Sequence, residues 1–232
     1  MVRLDNANKT LILSLGGSVI VPDSVDINFL KNFKSLILSY IGLGFHFVIV
    51  CGGGKVCRDY QAAACNISPL SKVDLDWLGI AATKLNAELV RSIFGELAYE
   101  KVVNNPKKKI NTDKQIIIAS GFIPGFSSDM DAVLFAKNLN STTVINLSSQ
   151  SYVYDKDPKT HPDAQPIKEL SWKDYGKLIG RKWVPGMSVP FDPIASKKAQ
   201  KLGLAVIIAK ATDLENLKNI IEEKEFVGTM IK

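Results

Sequence analysis

Three glycine-rich turns follow apolar runs in this chain: Gly16-Gly17-Ser18, Gly52-Gly53-Gly54-Lys55, and Gly121-Phe122-Ile123-Pro124-Gly125-Phe126-Ser127-Ser128. Lacking a Cβ atom, the backbone at such turns can approach a phosphate closely and aim its N–H groups at the oxygens. A helix that starts just beyond adds the positive end of its dipole. One such turn also serves as a plain tight turn. Three in a row point to polyanion binding, and two facing phosphate loops point to a donor and an acceptor.

The second turn carries cations as well. Lys55 and Arg58 fall in the first turn of the helix expected after Gly54, where positive charge opposes the dipole unless an anion lies between them. Either both side chains point to solvent or they grip that anion, and spacing alone leaves both open. Arg58 is the stronger ligand candidate, because its planar fork can hold a phosphate with two parallel bonds. The third turn runs into Ser127-Ser128-Asp129-Met130-Asp131. A serine there caps a helix whose first-turn acids favour its dipole. One acid can also position cations, metal or lysine, around a transferring phosphate, and the two roles are compatible.

These residues need a scaffold, and the pattern around them supplies one. Leu11–Leu15, Phe45–Val50, Gln115–Ala119, Thr142–Leu147 and Leu204–Ala209 are short apolar runs expected as strands. Between them lie helical patterns. Asp26 caps one with apolar residues at 27, 30, 33, 37 and 41, a second begins near Lys55, and a long third spans Val73 to Leu97. Another begins near Asp129, and Asp213 caps a last one ending near Glu223. Strands alternating with helices predict a parallel sheet covered on both sides, with ligands at the carboxyl ends of its strands. The polar, proline-rich stretch 148–190 reads as a long connection carrying one short helix. The chain is read as one domain over 1–232, with an acceptor-side lobe to about 140, a donor-side lobe from about 141, and one continuous sheet shared by both.

Composition narrows the class. The 232 residues are 46% hydrophobic and 22% charged, too apolar for a disordered chain. No apolar stretch reaches the roughly 18–20 residues of a membrane helix, and the first ten residues lack the apolar centre of a signal peptide. Cys51, Cys57 and Cys65 are three thiols without paired spacing, and only His46 and His161 could join them. Reduced thiols in a cytoplasmic protein are the reading, ahead of a disulfide framework or a zinc site. The net charge of +6 favours anionic ligands without choosing among them. Lys107-Lys108-Lys109 reads as a solvated loop. No recognition helix or stacking platform supports nucleic-acid binding. Trp77, Trp172 and Trp183 read as packing or interface residues, and Cys51 and Cys57 as small packing residues rather than nucleophiles. No Ser-His-Asp or Cys-His set is apparent.

Taken in order, Leu15-Gly-Gly-Ser-Val19, Gly52-Gly-Gly-Lys-Val-Cys-Arg58, Asp76-Trp-Leu-Gly-Ile80, Pro124-Gly-Phe-Ser-Ser-Asp129, Val153-Tyr-Asp-Lys-Asp-Pro158, Asp192-Pro-Ile-Ala195 and Gly228-Thr229 resemble the amino acid kinase superfamily. Within it they resemble the archaeal-type uridylate (UMP) kinases, from Leu11 to Ile231. The resemblance implies an α/β fold, a three-layer αβα sandwich with a mainly parallel central sheet, on which ATP and UMP meet head to head. It implies a cytoplasmic transferase of pyrimidine nucleotide biosynthesis, using ATP with Mg²⁺ and assembling as a homo-oligomer, a hexamer in relatives. Carried over by position, Ser14, Leu15, Gly16, Gly17, Ser18 and Gly53 border the ATP phosphates, while Ser148, Ser149, Tyr154 and Asp157 cradle its adenosine. Gly52, Arg58 and Asp76 hold UMP, which Phe122, Ile123, Pro124, Gly125, Phe126, Ser127 and Ser128 wrap from the other side. Asp129 organises the charges at the reaction centre beside Gly17, and no residue is assigned as a protein ligand to a resident metal.

The chain departs from the family pattern in places. Ser14 stands where many members have a lysine that stabilises the transferring phosphoryl group, and Lys55 is the candidate replacement, with Mg²⁺ sharing that role. The loop Ser148-Ser-Gln-Ser-Tyr-Val-Tyr154 replaces the usual Thr-Asn-Val-Asp-Gly-Val-Tyr, and Asp131 is an added acid. Isopentenyl phosphate kinases place a histidine where this chain has Arg58, which favours a nucleoside monophosphate acceptor. Two alternatives stand beside a UMP kinase: a related phosphotransferase acting on isopentenyl phosphate or a carboxylate, and a non-catalytic nucleotide-binding or storage protein.

Overall fold

A computed structural model describes residues 9–179 and 189–232. Trp183, much of the proline-rich approach to residue 190 and most of the N-terminal segment lie outside these residues. The elements run β1 (Thr10–Leu15), α1 (Gly17–Ile20), α2 (Ile27–Ile41), β2 (His46–Cys51), α3 (Gly54–Ile67), α4 (Lys72–Phe94), β3 (Ile116–Ala119), α5 (Ser128–Asn138) and β4 (Thr143–Ser148). Then come β5 (Val153–Tyr154), β6 (Pro166–Ile167), β7 (Glu169–Leu170), α6 (Trp172–Ile179), α7 (Pro193–Lys201), β8 (Ala205–Lys210), α8 (Leu214–Ile221) and β9 (Thr229–Ile231).

One sheet carries the strands in the order β3-β2-β1-β4-β8-β9-β7, and β5 pairs with β6 in a small separate ribbon. Pairing is parallel throughout the large sheet except where β9 runs antiparallel to β8. Its central strands are mainly apolar because both faces are covered. Alternate residues serve opposite layers. Leu11, Leu13 and Leu15 of β1 join Phe33 and Ile37 of α2, Val90 of α4 and Leu217 of α8 on one side. Ile12 joins Phe135 of α5, Tyr175 of α6 and Ala199 of α7 on the other. This is the three-layer αβα sandwich with a mainly parallel sheet expected from the sequence.

The capping chemistry matches local composition. Asp26, Asp213 and Ser127 accept hydrogen bonds from Phe29, Asn216 and Met130 N–H and start α2, α8 and α5. Two features of the sequence reading need correction. The first glycine turn leads directly into α1, a single helical turn, and the stretch after 148 contains three short strands besides its helix. Short strands lack the length that makes apolar alternation visible. Thr229 explains the Gly228-Thr229 motif: its hydroxyl accepts from Val153 N–H at 2.8 Å and donates to the Ile167 carbonyl. One residue of β9 thus ties the β5–β6 ribbon to the main sheet.

Strand order reverses at β1 and β4, the position at which open parallel sheets bind ligands. There Ser14 faces Asn146 in register, and Gly16 N–H donates to the Leu147 carbonyl at 2.9 Å. On the other flank Gly52 N–H donates to the Leu15 carbonyl at 2.9 Å, which brings the first two glycine turns together. A Cβ on Gly17 would stand 2.3 Å from Gly52 O, and one on Gly54, at φ +60°, would stand 2.2 Å from Gly17 C. Gly54→Ala is therefore expected to destabilise the fold by at least about 2 kcal/mol, a fall of roughly 5 °C in thermal melting. Gly125→Ala, at φ +83° in open space, is expected to cost only about 1–2 kcal/mol. Equal losses for the two variants would contradict backbone contact as the cause.

Candidate active site

Two cavities open above the carboxyl ends of the strands. The larger, about 580 Å³, is bounded by all three glycine turns and by α4. Of the residues expected to hold an acceptor, Arg58, Asp76, Phe126, Ser127 and Ser128 line it, joined by Ser18 and Gly53 from the donor set. The second, about 460 Å³, is lined by Ser148, Ser149, Tyr154 and Asp157, the full set expected around adenosine. The structure thus brings the two groups together, in two adjoining spaces.

Each wall is fixed from behind. Arg58 Nη2 donates to Ser18 Oγ at 3.0 Å, bridging α3 to the first turn. Asp76 Oδ2 accepts from Gly125 N–H at 2.7 Å, bridging α4 to the third turn. Asn86 of α4 donates to the Gly52 carbonyl at 2.8 Å and the Gly53 carbonyl at 3.3 Å. Thr83 accepts from Gly121 N–H at 2.9 Å. Thr83 and Asn86 were not singled out in the sequence, although polar residues three apart on the buried side of a long helix are a legible signal. Cys57, Gln61, Gly79 and Ile80 also line the larger cavity. Burial pushes the Cys51 and Cys57 thiols upward, away from nucleophilic character.

Other expected residues sit at a remove. Leu15 is fully buried in the core, Ser14 is nearly so, and Gly16 is bonded into β4. Gly52 is buried beneath Gly53 and Gly54, which present the surface instead. Phe122 packs edge-on against Phe126 at 6.1 Å, and Ile123 is exposed. Lys107, expected in a solvated loop, places its Nζ 5.6 and 5.8 Å from the centroids of those two rings. Lys55 is engaged on its own helix. Its Nζ pairs with Asp59 at 2.7 Å, one helical turn along α3, and it lines neither cavity. Trp172 packs in the core with its Nε1 on the Leu204 carbonyl, while Trp77 is half exposed.

Beneath the cavities lies a buried polar cluster. Asp129 Oδ1 accepts from Ser14 Oγ at 3.2 Å and lies 3.5 Å from Asn146 Nδ2; its Oδ2 accepts from Asp192 N–H at 3.0 Å. Asp129 retains some accessible surface, yet desolvation of its carboxyl and the charge of Asp192 raise its pKa to about 7, against the pull of the two hydrogen bonds. Asp131 is fully buried, with Oδ2 accepting from Phe122 N–H at 3.2 Å and Oδ1 without a partner. Desolvation first, then the Asp129 charge, raises it to about 8. Among the described residues no cluster of three acidic, cysteine or histidine side chains is arranged to hold a metal ion. Both Asp129 oxygens already accept hydrogen bonds from the protein.

The sequence of residues 9–210 matches the model of the amino acid kinase family. The chain belongs to that family. It is 32% identical over 230 residues to the uridylate kinase of Thermoplasma volcanium, covering 97% of this chain and 98% of the relative. It is 31% identical over 216 residues to that of Methanoregula boonei, covering 92% and 91%. The solved uridylate kinase of Archaeoglobus fulgidus superposes with a TM-score of 0.80 at 29% identity, covering 96% of this chain and 99% of that one.

The unpartnered Asp131 oxygen gives a pH signature. Its pKa lies above the value of about 3.9 in an unfolded chain, so the folded state binds the extra proton between these limits. Stability then falls as pH rises from about 4 to about 8. Asp131→Asn should therefore gain on the wild type by a few degrees of melting temperature across that window, with the difference levelling off above it. A gap between the two that does not change with pH would rule out an ionising buried carboxyl.

Proposed function

We propose that this chain transfers the γ-phosphoryl group of ATP to UMP, giving ADP and UDP. One observation carries the reading: Arg58, at the head of α3, hydrogen-bonds Ser18 across the contact between the first two glycine turns. That puts one guanidinium in the wall of the larger cavity, where the first two glycine turns meet. The names of the relatives, at this coverage, support the same activity. ATP is the donor in the Ser148–Asp157 cavity, and Mg²⁺ travels with its phosphates.

Little acid–base chemistry is required. A phosphate monoester already presents an ionised oxygen as nucleophile, so the protein's tasks are in-line positioning and neutralisation of charge. Backbone N–H groups of Gly17, Ser18, Gly53 and Gly54, the Arg58 fork and the hydroxyls of Ser127 and Ser128 do this on the chain's side. Asp76 holds the third turn against α4, and Asp129 stays beneath as an organising acid. In keeping with the family, the protein acts in the cytoplasm as a homo-oligomer. Exposed apolar residues on α3 and α4, among them Ile67, Val73, Trp77 and Leu85, supply a face for it. Among the described residues no helix is long and apolar enough to cross a membrane.

A coupled ATP-consumption assay tests the reading, with UMP compared against CMP, isopentenyl phosphate, carbamate and N-acetylglutamate. Turnover is expected with UMP foremost. Arg58→Ala should lose nearly all of it while melting as the wild type does, since Arg58 is exposed. Tight nucleotide binding without product would favour a storage protein, and preference for another acceptor would favour a different kinase of the family.

A further inference from the structure

The two cavities share two lining residues, Ser149 and Lys159. A phosphoryl group that passes from one space to the other crosses the junction these residues mark. Among the described residues, the basic side chains on either wall are Arg58, Lys156 and Lys159. Arg58 is held by Ser18, and Lys156 is paired with Asp163 at 2.6 Å. Only the Lys159 ammonium is without a hydrogen bond or ion pair.

That freedom is not for want of acids nearby. The 155–165 loop contains three, and each is engaged elsewhere. Asp163 takes Lys156, Asp155 Oδ1 accepts from Gln165 N–H at 2.8 Å, and Asp157 Oδ1 accepts from the backbone N–H of Lys159 itself at 2.9 Å. The Asp157 carbonyl also accepts from the Thr160 and His161 N–H groups, at 3.2 and 2.9 Å. The backbone of Lys159 is therefore fixed over the junction while its side chain remains unengaged. A compact ammonium on a flexible four-carbon stem suits a target that moves between two spaces.

We propose that Lys159 is the catalytic cation of the transfer, contacting the phosphoryl group at the junction. The assignment rests on the kinase reading above. An ionised oxygen of the UMP phosphate forms a bond to the γ-phosphorus, as the bond from that phosphorus to the β,γ-bridging oxygen breaks. The electron pair of the broken bond leaves with ADP. No proton is gained or lost, and the total charge is unchanged. During the step, charge is spread over the equatorial oxygens of the transferring group. A cation placed where that charge lies stabilises the transition state more than either bound nucleotide.

The test uses the full chain with ATP, Mg²⁺ and UMP. Lys159→Gln should lower kcat by about 100- to 1000-fold. KM for UMP and calorimetric affinity for a non-hydrolysable ATP analogue should stay within about threefold, and Lys159→Arg should recover much of the rate. Lys159 is exposed, so the variants are expected to melt as the wild type does. A Lys159→Gln enzyme turning over within about threefold of an active wild type would overturn the assignment and leave the kinase reading standing. Loss of rate matched by an equal loss of analogue binding would also overturn it, making Lys159 a ground-state ligand. An inactive wild type would remove the kinase reading itself and the assignment with it.

Discussion

Because β1 and β2 pair in parallel and end level, Leu15 beside Cys51, the turns leaving them emerge side by side with no room for a side chain between them. Backbone meets backbone at Gly17 and Gly54, and the rest of the site depends on that contact. It sets α1 and α3 starting from one point, so Ser18 and Gly54 line the same cavity. It also places Arg58 within 3.0 Å of Ser18. Two separate glycine turns become one surface along the larger cavity.

Across β1 the same level ending pairs Ser14 with Asn146, and Asp129 reaches in from α5 to both. Many members of the family place a lysine where this chain has Ser14. Here Asp129 is held by neutral donors instead: a hydroxyl, an amide and the Asp192 N–H. Neutral donors offset less of the desolvation cost than a cation would, which accounts for the rise in its pKa. Asp192 is itself committed as the cap of α7, accepting from Ala195 N–H at 2.8 Å. The acid, the cap and the sheet are locked together, so the cluster positions α5 and α7 relative to the strands that end beneath the two cavities.

Much of this is legible in the amino-acid sequence. Strand runs such as Leu11–Leu15 are apolar and stopped by glycine, and the caps Asp26, Ser127 and Asp213 are followed by periodic apolar residues. The three glycine turns were recognisable for the same physical reason that they work, the absence of Cβ atoms. What escaped was pairing. Lys55 looked like a ligand because it sits one residue after a glycine triplet, but Asp59 lies one helical turn away and competes for it. Lys107 looked solvated because the rings it covers, Phe122 and Phe126, are distant in sequence. Lys159 lines both cavities, and no local pattern encodes where two cavities meet.

The arrangement divides the charges by layer. The acids, Asp129 and Asp131, lie at the level of the sheet, where burial holds their pKa values to about 7 and 8. The cations stand on the walls, Arg58 on α3 and Lys159 on the loop opposite, both exposed. Near neutral pH the two acids together carry less than their full charge, so phosphates above them meet a weaker opposing field than two free carboxylates would impose. Bound polyanions would raise those pKa values further, since a like charge disfavours the ionised form. Phosphate binding and retention of protons by the acids therefore favour each other by linkage. Buried acids can lie beneath an anion-binding space without a lysine between them, because the acids give up charge where a lysine would have cancelled it.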